Sequence, residues 1–212
     1  MKQHLRALLA DHQLDAVAAY ARERTRTLGD LTALTYDPDA QVAWRAVEAM
    51  GIAAAHIAED NPERVREQLR RLLWSLREEA GAICWRAPEA MAEIVSMCTP
   101  SFPEYVPIVV HLLVDTAEED LAHFRAGMLW AIGRLGPLAS NHLTDVLPVV
   151  TAALDHSEAQ VRGMAVWALG RAGQLAPLIQ RKALLTDSGA VAFYADGTLV
   201  RRTVASLLPN PQ

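Results

Sequence analysis

The sequence predicts an all-α protein of stacked helical hairpins, an α-α superhelix, with a short C-terminal β-hairpin. Three observations predict it. A segment of about ten residues recurs at intervals of 37–41 residues. Alanine and leucine dominate a chain that is 51% hydrophobic and poor in β-branched alternation, which favours helix. Asp196-Gly197 stands between AVAFY and TLV, a strong short-range hairpin signal.

The recurring segment reads VAWRAVEAMG at 42–51, ICWRAPEAMA at 83–92, FRAGMLWAIG at 124–133 and VRGMAVWALG at 161–170. A weaker fifth copy is VRRTVASLL at 200–208. Each copy follows another helical pattern. EYVPIVVHLLV and DVLPVVTAALD align through Pro107 and Pro148, again 41 residues apart. The unit is therefore helix–turn–helix. First helices are expected near 28–36, 62–78, 103–114, 142–154 and 175–185, and second helices near 39–58, 87–98, 119–135, 158–172 and 202–208.

Start and stop residues fall between these stretches. Thr116-x-x-Glu119 and Ser157-x-x-Gln160 have the form of capping boxes. Asp37-Pro38 and Asn61-Pro62 each offer an N-cap followed by proline at the first helical position. Gly136 and Gly173 sit where helices should end. The expected organisation is a single solenoid over 1–212. Residues 1–27 form a capping pair, 28–173 about four repeats, and 174–212 an atypical last repeat with the hairpin near 190–200, packed on the last helices. Residues 79–86 interrupt the pattern before Pro88, so Trp85 and Arg86 are expected in a loop.

Phe124-Arg125 through Gly136, and Val161-Arg162 through Gly173, resemble the bacterial HEAT repeats also found in phycobilisome lyases. The proline inside the first helix, followed by an aliphatic run, is similar to HEAT repeats as well. The resemblance covers roughly residues 28–173. It implies the fold, and it implies that second helices line a concave side. It does not by itself imply one function.

Winding the second helix at 100° per residue places Val161, Ala165, Ala168 and Leu169 on one buried stripe. The opposite face carries Trp44, Arg45, Glu48, Trp85, Arg86, Glu89, Trp130, Arg134, Trp167 and Arg171. Trp130 and Trp167 each precede an arginine by four residues, a spacing that suits a cation–π contact. Tryptophan and arginine are common at binding hot spots. A tryptophan here either lines a groove or fills the gap between repeats. Gly163 and Ala126 make room for a large ring in both cases. Trp74 is expected in the core, and Tyr194 either packs or binds.

The chain carries 20 basic and 25 acidic residues, a net charge of −5. Residues 1–124 hold 12 basic and 20 acidic groups, a net of −8, whereas 125–212 hold 8 and 5, a net of +3. This acidity argues against nucleic acid, which needs a basic face. No apolar run approaches a bilayer span, and the N-terminus lacks the apolar core of a signal peptide, so a cytoplasmic location is expected. Cys84 and Cys98 match no metal or disulfide spacing, and the seven histidines form no ligand motif. No cofactor motif and no catalytic constellation is present. Cys84 beside Arg86 is expected to be a small buried thiol.

The expected function is a protein–protein interaction scaffold that binds a protein or peptide through this Trp/Arg/Glu-lined concave face. The alternative is a bilin-lyase-like or DNA-glycosylase-like HEAT protein acting on a tetrapyrrole or a damaged base. A third reading is a subunit that docks through its hairpin edge.

Overall fold

A computed structural model describes residues 2–76, 86–116 and 121–209. The chain groups into two compact units. The first runs to Pro103 and includes the segment Tyr194–Leu199; the second holds Glu104–Phe193 and the chain from Val200 onward.

In the first unit the helices are α1 (Lys2–Ala10), α2 (Leu14–Glu23), α3 (Thr27–Leu34), α4 (Ala40–Asp60), α5 (Pro62–Ser75) and α6 (Ala87–Met97). Asp39 starts α4, its carboxylate accepting from the backbone N–H of Gln41 at 2.9 Å and of Val42 at 3.4 Å. The cap therefore lies two residues beyond the expected Asp37. Asp37 instead pairs with Arg6 at 2.7 Å and accepts from Asp39 N at 3.0 Å. Asn61 caps α5 as expected, accepting from Arg64 N with Pro62 in the first turn.

Helix α4 is the centre of this unit. It packs against α1, α2, α3, α5 and α6, and buries Val42, Ala46, Val47, Met50, Ala53 and Ile57 among others. Small residues let α6 come close. A Cβ on Gly51 would sit 2.9 Å from the Glu93 carbonyl oxygen. Trp74 departs from the core expectation and is 65% exposed. The buried stripe of α5 is Val65, Gln68, Leu69 and Leu72, and two residues past Leu72 the helix has turned about 200° away.

In the second unit the helices are α7 (Tyr105–Asp115), α8 (Ala122–Leu135), α9 (Leu147–Ala152), α10 (Ala159–Arg171) and the single turn α11 (Ala176–Ile179). Short 3₁₀ segments cover Gly136–His142, Ala153–Asp155, Lys182–Thr186 and Ala205–Leu207. Helices α8 and α10 form the main contact. Val161, Ala165, Ala168 and Leu169 are fully buried, as the helical phase required. Gly136, with φ +54, ends α8, and Gly173, with φ +73, ends α10. Gln174 N donates to Leu169 O at 2.8 Å, closing the α10 end.

The Ser157 capping box does not form, and α10 starts after Glu158 without a side-chain cap. Thr116 Oγ1 donates back to Leu112 O at 2.7 Å, while Glu119 lies outside the described residues. Gln160 leaves the start of α10 for another partner, described below.

Strands β1 (Ala190–Ala195) and β2 (Thr198–Thr203) make the two-stranded hairpin. Asp196 and Gly197 both take positive φ, +50 and +74, as a type I′ turn requires. The expected fifth second helix is thus replaced by β2 and a 3₁₀ turn. The tight turn and the β-branched Thr198, Val200 and Thr203 outweigh the weak repeat pattern there. The hairpin also does more than pack on the last helices, because its tip belongs to the first unit. The whole is an all-α, HEAT-like fold with a short two-stranded sheet. No helix among the described residues is long and apolar enough to cross a membrane.

Candidate functional site

Gln41 and Gln160 each stand one residue before the repeat's leading valine, so they occupy the same repeat position. Both face the hairpin backbone. In the first unit Gln41 Nε2 donates to Gly197 O at 2.6 Å, and Leu199 N donates to Gln41 Oε1 at 3.0 Å. In the second unit Gln160 Nε2 donates to Ala192 O at 2.9 Å, and Ala192 N donates to Gln160 Oε1 at 2.8 Å. One side-chain amide thus meets both a donor and an acceptor of an extended chain, as a neighbouring strand would.

Beneath the hairpin tip lie three of the expected site residues. Trp44 stacks on Tyr194, with ring centroids 5.3 Å apart and planes 8° from parallel. Glu48 Oε2 accepts from the Tyr194 hydroxyl and lies 3.1 Å from His12 Nε2. Arg45 Nε donates to Gly197 O at 2.9 Å, and its Nη1 donates to Leu9 O and Ala10 O at the end of α1. Gly197 is required twice over. Its φ is left-handed, and a Cβ would lie 2.0 Å from the His12 ring.

A second layer adds charge. Arg86 places its guanidinium 4.5 Å from the Trp44 ring centroid and 3.6 Å from Glu89 Oε1. Glu89 is buried, and its Oε2 has no hydrogen-bond partner among the described residues. Burial pushes the Glu89 carboxyl up to about 7, with Arg86 pulling the other way. Burial, then the bond to Glu48, raises the Tyr194 hydroxyl above the ordinary tyrosine range. Glu93, also buried, acts on the same hydroxyl in the same direction.

In the second unit the same repeat positions hold different chemistry. Gly163, where α4 has Trp44, admits Val191, which a Cβ would approach to 2.6 Å. Trp167, where α4 has Glu48, meets the ring of Phe193 edge-on at 4.9 Å. The indole of Trp167 also lies over Gly133 of α8, where a Cβ would come within 2.1 Å of it. Arg171 sits 5.3 Å from the Trp167 centroid, the cation–π pair that the spacing predicted. Arg162 ties α10 to the loop before β1, donating to Asp187 at 2.8 Å.

The expected face is therefore largely covered rather than open. Trp44 is 9% exposed, Trp130 4% and Glu89 3%. Trp130 is buried because α8 is enclosed on nearly every side, by α7, α10 and the 3₁₀ segment that follows it. Trp167 and Arg134 are half-buried, and Arg171 is exposed. Trp44, Arg45, Glu48, Arg86 and Glu89 come together in one cluster. Trp167 and Arg171 form another. Trp85 and Cys84 lie outside the described residues. Cys98 is buried, which pushes its thiol up to about 11. Among the described residues no group of three or more His, Cys, Asp or Glu is placed to hold a metal ion.

Sequence reasoning missed Gln41, Gln160 and His12. The shared repeat position of the two glutamines was a usable signal for the first two. The left-handed turn that brings His12 under the hairpin, at φ +54, left none.

Residues 122–172 match the family model of a HEAT-like repeat, a span that covers α8 through α10. That match supports a HEAT-repeat protein, and at the coarse level such repeats point to a protein-interaction scaffold. No curated protein and no solved structure gives a significant match to the chain.

Proposed function

We propose that the chain is an interaction scaffold that holds a protein or peptide partner on the outward faces of its second helices. One patch comprises Trp44, Arg45, Glu48, Trp85, Arg86 and Glu89. The other comprises Trp130, Arg134, Trp167 and Arg171. Trp130 acts from beneath, as the buried support of its patch.

One observation carries the reading. These faces already grip an extended polypeptide, through amides at equivalent repeat positions that bond its main chain. Aromatic rings and arginines surround the bonded strand, the residue types that dominate binding hot spots. A partner's extended segment meets the same chemistry (β-strand addition with side chains standing in for the neighbouring strand).

Charge reversal at the second patch tests this without touching the core. Arg134→Glu with Arg171→Glu should leave the melting temperature within a few degrees and reduce co-purified partners at least tenfold by quantitative mass spectrometry. Retention of every partner by the folded double variant would sink the reading.

A further inference from the structure

We infer that the surface formed by Gln41, Trp44, Arg45, Glu48 and His12 is a recognition site for a tyrosine-bearing β-turn, and that the hairpin tip Tyr194–Leu199 is a ligand held there in cis. A partner presenting Tyr-x-Asp-Gly at the turn of a hairpin competes for the same place. This rests on reading the second-helix faces as partner-binding surfaces.

The contacts divide into two kinds. Gln41 and Arg45 bond only main-chain groups, at Gly197 O and Leu199 N, which any sequence offers. Selectivity comes from two side-chain features. A phenol is read by its face against Trp44 and by its hydroxyl, which donates to Glu48. The absence of a side chain is read by the His12 ring, which leaves no space at Gly197. Phenylalanine would satisfy the stack but not the carboxylate. Phosphotyrosine would bring a second anion against Glu48, and Glu93 lies near enough to act on the same hydroxyl.

The mode of attachment argues for exchange. Polar bonds to the main chain, the Tyr194–Glu48 hydrogen bond and one aromatic stack hold the tip, all of which water or a second peptide can replace. By contrast, Val191 at the hairpin base is fully buried against Gly163. Past Tyr194 the tip buries no large apolar side chain, and local opening begins at such places. A site filled in cis lowers apparent affinity for a partner in proportion to the fraction of time it is closed.

The test uses the full chain and a backbone-cyclised, fluorescently labelled peptide spanning residues 190–203. Gly197→Val opens the tip, because a branched side chain fits neither the left-handed turn nor the His12 ring. Tyr194→Ala is the second opened variant, which leaves the turn intact. Circular dichroism establishes that each is folded. Fluorescence anisotropy should show the peptide binding either opened variant at least tenfold more tightly than the wild-type chain. Peptides carrying Tyr194→Ala or phosphotyrosine should bind the opened chain at least tenfold more weakly. The inference is overturned if the peptide ignores both folded variants, if the wild type binds it equally well, or if the tyrosine changes make no difference. Loss of peptide binding alongside retained Arg134- and Arg171-dependent partners sinks this inference alone. Loss of that dependence with peptide binding intact sinks only the wider reading.

Discussion

Helices α4 and α10 hold the hairpin with the same glutamine and opposite chemistry. Three and seven residues after it, α4 offers Trp44 and Glu48, while α10 offers Gly163 and Trp167. The α10 contact is dry: Val191 fills the space over Gly163, Phe193 meets Trp167, and the buried Trp167 Nε1–H finds no acceptor among the described residues. The α4 contact is polar, with a phenol, two carboxylates, an imidazole and two guanidiniums within one cluster. A repeat thus conserves how backbone is held while leaving the side-chain chemistry free to differ. Dry burial gives permanence, whereas polar pairing gives selectivity and release.

Breaking the polar side should have the largest effect. Glu89 keeps its proton in the folded chain up to about pH 7, but loses it near 4.5 when unfolded. Between those values the unfolded state releases a proton that the native state retains, so stability falls as pH rises and is flat above the window. The swing is on the order of 3 kcal/mol for a raised carboxyl of this size. Chemical denaturation from pH 4.5 to 8 should show that decline in the wild type and lack it in Glu89→Gln, which becomes the more stable protein at pH 8.

Breaking the dry side comes next. Gly163→Val drives a branched side chain into Val191 and Leu207, and should cost about 2–3 kcal/mol in the urea midpoint. The same change at Gly170, whose nearest neighbour is Pro209 at 3.4 Å, should cost clearly less. Tyr194→Phe keeps the ring on Trp44 and removes the bond to Glu48, so a loss of about 1.5 kcal/mol is expected.

The smallest effect sharpens the comparison most. Gln41→Ala and Gln160→Ala should each cost only about 1 kcal/mol. Hydrogen exchange should separate them. The first exposes the Leu199 amide and the second the Ala192 amide, each sparing the other.

The helices were legible because periodicity reports burial. Asn61-Pro62, Gly136, Gly173 and Asp196-Gly197 each do in the structure what their local chemistry dictates. The candidate site was half legible. Its residues were found by phase, since Trp44, Glu48, Arg86 and Glu89 share a helical face. The cover over Trp44 and Glu48 was not, because it comes from a hairpin about 150 residues away in sequence. Ser157-x-x-Gln160 shows the same limit. A capping box and a strand clamp use the same amide, and only the nearby Ala192 backbone decides between them. At the fifth copy, local turn chemistry overrode a faint repeat.

The paired glutamines have a consequence for solubility. A two-stranded ribbon normally shows bare rungs along both outer edges, and these invite strands from other molecules to add on. Here one rung on each strand, at Ala192 and at Leu199, is already engaged by a carboxamide. At those two rungs no further strand can add, because the backbone amide is already spoken for.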